Sequence, residues 1–451
     1  MVILRQIPQN YLFSKIDLKK LIVPLVIEQF LTIAVGLIDS MMVASVGESA
    51  VSAISLVDTV NILIINIFTA LATGGAVVAG QYIGMKQEHN SCKAANQTLI
   101  FTTLIALFVM IIVYVLKNFI LHTVFGQIED DVANYANTYL LIVSASIPFI
   151  GMYNAGAAIF RAMGNSKVSM NTSLIMNLVN IVGNAILIYG FHMEIAGAAI
   201  PTLISRIVAA VVIVVRLGNQ DLQIHIDRPF KLKFDWRMIK KILRIGIPNS
   251  LENSMFQLGK ILVLTIVTAF GTRAITANAV SNTIAMFQIL PGMAICQAIL
   301  TVSSQCVGAN DYKQLDFYIK RLMKTIYVFV VAINVVVVAI LPLILKAYNL
   351  SSETTDIAKQ IIWYHAICTC TIWPLSFALP NSLRAANDVM FTMIVAILSM
   401  WIFRIGASVV IAKWLGFGVL GVWIAMTIDW FVRAIIFVIR YKYKIKSKCK
   451  I

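Results

Sequence analysis

Long apolar stretches alternate with short polar segments along almost the entire chain. A helix needs about 20 predominantly apolar residues to cross a bilayer, and each of these stretches reaches that length. Several are longer than a perpendicular crossing requires, which predicts helices that tilt or extend beyond the hydrocarbon layer. The pattern predicts twelve membrane-spanning helices, at roughly residues 18–45, 51–84, 95–122, 131–160, 165–190, 195–218, 238–270, 276–308, 314–347, 354–383, 388–414 and 419–440.

The connections between these helices are short and polar, with one exception midway along the chain. The exception is the segment 219–237, whose charged residues include Asp221, Asp227, Arg228, Lys231, Lys233 and Asp235. We therefore predict an N-terminal six-helix lobe (1–218), a linker (219–237), a C-terminal six-helix lobe (238–440) and a basic tail (441–451).

Composition narrows the class of protein further. The chain is 60% hydrophobic and 12% charged, with a mean hydropathy of +0.87. A soluble globular chain carries about 25% charged residues, so too little polar surface is available to cover a water-facing body. These numbers exclude a soluble enzyme and a disordered chain, and they predict an all-α polytopic membrane protein.

The net charge of +16 is explained by the distribution of basic residues between the two sides of the membrane. If both termini are cytoplasmic, 27 of the 36 Lys and Arg residues lie on that side and 5 lie outside. The remaining four are Arg206, Lys260, Arg404 and Arg433, which fall inside predicted helices. This bias predicts cytoplasmic termini and a tail that contacts anionic lipid, and it argues against nucleic acid as a partner.

The two halves of the chain repeat each other. A single constant offset aligns Pro24 with Pro248, Glu28 with Glu252, Gly47 with Gly271, Gln81 with Gln305 and Gly84 with Gly308. Six helices per half give both halves the same topology, which predicts a pseudo-two-fold axis along the membrane normal. A duplicated bundle with few residues outside the membrane is typical of a transporter, with its substrate path between the halves.

Five short stretches carry a resemblance to a known family. They are Val35-Gly36-Leu37-Ile38-Asp39-Ser40-Met41-Met42-Val43, Gly246-Ile247-Pro248 followed by Glu252, the loops around Arg161 and Arg384, and Gly421-Val422-Trp423 with Asp429. With the repeat, they resemble motifs of the multidrug and toxic compound extrusion (MATE) transporters of the prokaryotic type. The resemblance implies two lobes around a V-shaped cleft and efflux of organic cations driven by H⁺ or Na⁺.

Acidic residues inside membrane helices are costly and usually functional. Five lie in the predicted spans: Glu28, Asp39, Asp58, Glu252 and Asp429. Asp39 can be neutralised by a proton or can bind Na⁺, and either event couples an ion to a conformation. The alternative is a structural ion pair, for which Arg206 is the only base inside the first six spans. We predict that Asp39 is the main ion-coupling residue.

Three asparagines of the fifth span lie on one helical face, because Asn177, Asn180 and Asn184 are spaced by three and four residues. We predict that Asn180 and Asn184 take part in ion coupling with Asp39, and that Asn177 lines the cavity. Packing between helices through amide hydrogen bonds is the alternative. Two further residues, Asn154 and Thr202, are assigned to the same cavity. The resemblance implies that position 184 is often an aspartate in relatives, so this chain has one carboxylate fewer.

In the second half, Glu252 is predicted as the second ion-coupling residue, with Lys260 as its counter-ion in one state. A structural role is the alternative, since Glu252 and its repeat partner Glu28 each follow a proline that frees backbone groups. Glu28 and Lys260 are assigned to the cavity. Some family members carry an acid where this chain has Trp373. The resemblance therefore gives less support to a second Na⁺ site in this half. Asp429 and Arg433, four residues apart, are predicted to form an ion pair.

No nucleotide-binding loop, zinc-protease motif or nucleophile elbow occurs in the chain. The sequence therefore predicts a protein that is not an enzyme and needs no cofactor beyond H⁺ or Na⁺ as coupling ion, with Na⁺ possible at Asp39. We predict a monomeric antiporter of the cytoplasmic membrane that exports amphipathic, mainly cationic drugs or metabolites. The alternative function is that of a lipid-linked precursor flippase of the same superfamily.

Overall fold

The computed structural model describes residues 8, 10–126, 129–226 and 234–450, and these residues are almost entirely helical. The helices of the first half are α1 (Lys15–Ala44), α2 (Glu48–Gly84), α3 (Glu88–Val115), α4 (Asp130–Ala145 and Ile147–Ala162), α5 (Ser166–Gly190) and α6 (Ala196–Leu217). Those of the second half are α7 (Trp236–Thr268), α8 (Thr272–Gly308), α9 (Tyr312–Ala347), α10 (Ser352–Thr371 and Pro374–Ala385), α11 (Val389–Trp414) and α12 (Gly418–Lys444). Short helical turns at Lys117–Phe119, Ile120–Val124 and Lys446–Lys450 complete the described chain.

Length and composition identify most of these helices as membrane spans. Nine helices of the described chain are long and apolar enough singly, and α4 and α10 raise the number to eleven if each is one span. The remaining helix, α7, is 33 residues long, and polar residues such as Glu252 and Lys260 lower its hydropathy. The predicted all-α, twelve-helix fold is confirmed.

Two predicted spans are not continuous helices. α4 bends by 46° at Ser146, and α10 bends by 58° between Thr371 and Pro374. A proline follows each break, at Pro148 and at Pro374, where it lacks a backbone N–H and clashes with the preceding turn. The backbone of α10 after the break is π-helical over Pro374–Ala378.

The contacts divide the chain into two compact units. One runs from Val23 to Ser250, and the rest of the described chain forms the other. The divisions therefore fall inside α1 and α7, which are the first helices of the two repeats. Residues 227–233 of the predicted linker lie outside the described residues.

A close contact between α5 and α6 positions the polar residues of the first unit. A Cβ atom added at Gly183 would lie 2.7 Å from the Cβ of Pro201, which is far inside van der Waals contact. Small residues allow membrane helices to approach in this way. The contact places Asn180 and Asn184 of α5 beside Thr202 of α6.

We expect the substitution Gly183→Val to destabilise the protein by about 1–3 kcal/mol, because the added side chain must push α5 away from Pro201. Thermal unfolding of the purified protein in detergent measures this loss. Gly190→Ala is the matched control, since no atom lies within 4 Å of a Cβ added there. Equal stability of the two variants would contradict the close packing.

The start of α7 is attached to α3 through Asp235. Its Oδ1 accepts hydrogen bonds from the backbone N–H groups of Arg237 (2.9 Å) and Met238 (3.1 Å), and its Oδ2 pairs with Lys93 Nζ at 2.5 Å. The backbone N–H of Asp235 donates to Gln97 Oε1 at 3.1 Å. The hydrogen bond from Lys93, followed by that from the Met238 backbone, lowers the pKa of Asp235.

A lowered pKa in the folded state means that Asp235 stabilises this helix start above its unfolded pKa, and that this contribution is lost as pH falls through the folded value. We expect the amide protons of Arg237 and Met238 to lose protection at acidic pH, after correction for intrinsic exchange rates. Asp235→Asn should show the low protection already at neutral pH. Asp221→Asn, in the same segment, should behave like the unsubstituted protein in this hydrogen-exchange measurement.

Candidate functional site

The carboxylate of Asp39 lies on α1 and is surrounded by amide groups. Asn184 Nδ2 donates to Asp39 Oδ1 at 3.1 Å. With its amide nitrogen toward the carboxylate, Asn180 donates to Oδ2 at 2.9 Å and to Oδ1 at 3.0 Å. In that orientation the Asn180 oxygen accepts the Thr202 hydroxyl at 3.1 Å. The structure thus brings together Asp39, Asn180, Asn184 and Thr202, which the sequence assigned to one cavity.

Local structure explains why these side chains converge. Asn180 and Asn184 are four residues apart and share one face of α5, where both are buried. The backbone becomes π-helical immediately after Asn184, over Ala185–Gly190. Thr202 follows Pro201, which packs against α5 at Gly183.

The charge environment of Asp39 is unusual for a membrane carboxylate. Within the described ranges, no Lys or Arg nitrogen lies within 4.0 Å of it. Its hydrogen-bond partners are neutral amides, so no protein cation in direct contact compensates its negative charge. A proton, a metal ion or a cationic substrate is therefore required when the site is closed to water.

One acidic residue that the sequence analysis left outside the site lies near this carboxylate, and it interacts in turn with an arginine. Asp58 of α2 is close enough to Asp39 for electrostatic repulsion, and it also interacts electrostatically with Arg206 of α6. Arg206 Nη1 donates to Ser146 Oγ at 2.7 Å, at the bend of α4. Asp58 was recognisable as a membrane acid, but no sequence spacing relates it to Asp39 on another helix.

The other asparagines assigned to the cavity carry unused hydrogen-bonding capacity. The Nδ2 atoms of Asn154 and Asn177, and the Oδ1 atom of Asn184, are buried without a hydrogen-bond partner in the part of the chain that the structure describes. Buried polar groups are normally paired, so such atoms mark positions where water, an ion or a ligand can bind. Neither Asn154 nor Asn177 is hydrogen-bonded to Asp39.

The two glutamates related by the repeat each contact an arginine at the end of the fourth helix of their own half. Glu28 Oε1 lies 3.3 Å from Arg161 Nη1, and its Oε2 accepts the Ser169 hydroxyl at 2.9 Å. Glu252 Oε1 lies 2.6 Å from Arg384 Nη2. These contacts place Glu28 apart from the Asp39 cluster and give Glu252 a partner other than Lys260.

Lys260, the predicted counter-ion of Glu252, lies instead with its Nζ atom 5.3 Å from the centre of the Phe256 ring.

The predicted ion pair between Asp429 and Arg433 is confirmed, with 2.8 Å between Arg433 Nη2 and Asp429 Oδ2. Arg404, which had no assigned role, shares the same carboxylate oxygen at 3.2 Å from its Nε atom. Sequence spacing offered no signal for this contact between α11 and α12.

Comparison with known proteins identifies the family. The family model MatE matches residues 24–186 and again residues 248–410, so the two matched segments begin at the prolines that the internal repeat aligns. The chain therefore belongs to the MatE family. Members of this family are multi-pass membrane transporters and not enzymes, as the sequence predicted.

Similar proteins support the same assignment. The chain is 26% identical over 430 residues to "Uncharacterized transporter YisQ" of Bacillus subtilis, covering 94% of this chain and 93% of that protein. It is 22% identical over 420 residues to "Probable multidrug resistance protein NorM" of Thermotoga maritima, covering 92% and 89%. The solved structure "Outward-facing conformation of a multidrug resistance MATE family transporter of the MOP superfamily" has a TM-score of 0.89 at 20% identity, covering 96% of each chain.

Proposed function

We propose that this protein is a secondary active antiporter that exports amphipathic, mainly cationic compounds in exchange for H⁺, by alternating access. The observation that carries the proposal is the Asp39 carboxylate, which lies inside a membrane helix with amide partners and no Lys or Arg within 4.0 Å in the described chain. The names of similar proteins, such as "Probable multidrug resistance protein NorM", support drug export.

The hydrogen bonds of Asn180 suit both protonation states of Asp39. When Asp39 is charged, the Asn180 nitrogen donates to the carboxylate and its oxygen accepts the Thr202 hydroxyl. When Asp39 is protonated, the reversed amide accepts the new O–H, and its nitrogen donates to Thr202 Oγ1 at 3.1 Å. Protonation of Asp39 on α1 thus reverses one amide and changes the hydrogen bond that this amide makes with Thr202 on α6. In both orientations the nitrogen and the oxygen of the amide keep a hydrogen-bond partner.

This reversal gives a simple exchange cycle. The charged carboxylate attracts a cationic substrate, and its protonation from outside removes that attraction, so the substrate leaves outward. The neutral site then allows the return to the inward-open state, where the proton is released. Na⁺ is the competing coupling ion, because it prefers oxygen ligands and the free Oδ1 atom of Asn184 is one such ligand.

The test uses purified protein in liposomes loaded with an ethidium-type dye, with pH and Na⁺ gradients imposed separately. Dye transport driven by the pH gradient alone is expected. A response to Na⁺ alone would replace H⁺ by Na⁺ as the coupling ion. Transport that ignores both gradients, with flipping of lipid-linked precursors in the same liposomes, would contradict antiport and support a flippase.

We further propose that the protein is a monomer in the cytoplasmic membrane, with both termini inside and anionic lipid bound near the tail. A cavity of about 400 Å³ is lined by residues of α9, α10, α12 and the turn that follows α12, which the proposed orientation puts on the cytoplasmic side. Its lining includes one acid, Asp316, which pairs with Lys320, and four lysines: Lys320, Lys324, Lys442 and Lys446. Apolar residues, among them Met323, Leu375 and Leu379, line the rest of it, so the cavity suits a phospholipid with a negatively charged head group.

We expect the double substitution Lys442→Gln and Lys446→Gln to weaken binding of anionic phospholipid roughly 30-fold at low salt, since each lysine near a headgroup contributes about 1 kcal/mol. Native mass spectrometry with phosphatidylglycerol and phosphatidylcholine measures the effect. Lys117→Gln with Lys413→Gln, on the opposite side of the membrane, is the control pair and should retain binding. Equal lipid retention by the two double variants would contradict the proposal.

A further inference from the structure

The interior of the second repeat contains more positive than negative groups. Arg404 and Arg433 are 5% and 3% exposed, and both contact Asp429, which is completely buried. The two arginines share one oxygen, Oδ2, at 3.2 Å from Arg404 Nε and 2.8 Å from Arg433 Nη2. The other oxygen of Asp429 accepts the Ser399 hydroxyl at 2.6 Å. One carboxylate thus serves two buried guanidinium groups.

The charges of this cluster do not balance. Asp429 compensates one of the two arginines, and the other membrane acid of the second repeat, Glu252, is already paired with Arg384 at 2.6 Å. A buried lysine can lose its proton and become neutral, but an arginine remains charged in proteins. A buried charge without a counter-ion is strongly destabilising, so the cluster requires one further negative charge.

Of the two arginines, Arg404 makes the weaker contact with Asp429. Arg433 donates to Asp429 through Nη2, whereas Arg404 Nε approaches the shared oxygen without a well-formed hydrogen bond within the described residues. A guanidinium presents five N–H donors, which point outward in its plane. One face of Arg404 is covered by the Phe256 ring, 4.9 Å from Cζ to the ring centre, and this contact uses none of the donors.

A second cation lies at the same aromatic ring. Lys260 Nζ is 5.3 Å from the centre of Phe256, and the described residues contain no acid in ion-pair contact with Lys260. Its side chain is exposed, unlike that of Arg404. Lys260 therefore adds a second positive charge at this ring, where it can attract an anion toward Arg404.

We propose that the second repeat binds a small monovalent anion, either a halide or the carboxylate group of an organic compound, at the free edge of the Arg404 guanidinium beside Lys260. Both ligands carry one negative charge and several lone pairs, which match one uncompensated guanidinium. Binding requires no transport, so its test is independent of the proposed antiport.

The experiment measures equilibrium binding of ³⁶Cl⁻ to the full-length protein in nanodiscs of neutral lipid, with sulfate as the background anion. We expect one saturable site per chain. Arg404→Gln should weaken binding at least tenfold, and Lys260→Gln should weaken it several-fold. Arg273→Gln, an exposed arginine paired with Glu353, is the control and should leave binding unchanged.

Two results would overturn the proposal: no saturable binding of chloride or benzoate by the unsubstituted protein, or equal binding by Arg404→Gln. If Arg404→Gln does not fold, Lys260→Gln decides, because its exposed side chain can be replaced without leaving a hole, and unchanged binding there contradicts the site. Competition identifies the source of the anion. Displacement of chloride by benzoate and not by methyl benzoate indicates an organic carboxylate, and failure of both to displace it indicates a halide.

Discussion

Asp39→Asn is expected to abolish dye transport driven by an ion gradient. Asparagine has nearly the shape of aspartate but cannot change its charge, so no ion can be taken up or released at this position. Binding of a cationic dye should also weaken by about tenfold or more, because a hydrogen-bonded charge contributes about 1.5–3 kcal/mol. Gradient-driven transport in liposomes and dye binding in detergent measure the two effects separately.

The matched control for this substitution is Ser40→Ala, at the next position of α1. The Ser40 hydroxyl donates only to the Gly36 carbonyl of its own helix, at 2.9 Å, among the described residues. This variant should transport and couple like the unsubstituted protein. If Asp39→Asn retained full transport with its response to the ion gradient, the coupling role of Asp39 would be wrong.

Arg384→Met is expected to cost about 3–5 kcal/mol of stability, because it leaves the Glu252 carboxylate buried without its partner. Both side chains are mostly buried, at 15% exposure for Arg384 and 11% for Glu252. The double variant Glu252→Met with Arg384→Met should recover much of this loss, since replacing both members of a buried pair is often nearly neutral. Thermal unfolding in detergent measures the three proteins.

The same double variant decides whether Glu252 is a coupling residue or a structural one. If the ion pair is structural, the folded double variant should keep transport driven by the ion gradient. Loss of coupling in a protein that is folded and still binds dye would instead assign Glu252 to the ion cycle. Arg273→Met, which breaks an exposed pair with Glu353, is the control and should lower the stability only slightly.

The helices could be predicted from the sequence because their signal is local. The length of an apolar run and the charge of its flanks are visible within a single helix and its two connections. Because the two halves repeat each other, the same pattern of helices can be recognised twice. The bends of α4 and α10 were harder to predict from the sequence. Pro148 and Pro374 indicate weak points, but the angles of 46° and 58° depend on what packs against each half.

The candidate site was predictable in its residue types and only partly in its geometry. The spacing of Asn180 and Asn184 placed them on one face, and Asp39 was conspicuous as a membrane acid. The hydrogen bond between Asn184 and Asp39 joins residues 145 positions apart, which no local pattern encodes. The repeat related Glu28 to Glu252 correctly, yet it did not indicate the contacts with Arg161 and Arg384.

The sequence by itself thus determined the membrane location, the twelve-helix duplicated fold and the family, because these follow from hydrophobicity, spacing and motifs along the chain. Sequence spacing predicted the pair of Asp429 with Arg433, and only the tertiary structure decided which charges on different helices meet. In the folded protein Asp39 is hydrogen-bonded to neutral amides, Glu252 forms an ion pair with Arg384, and Asp429 contacts two arginines. The physical reason is that an ion pair in a low-dielectric interior depends on a few ångströms between helices, and packing rather than sequence distance sets that separation.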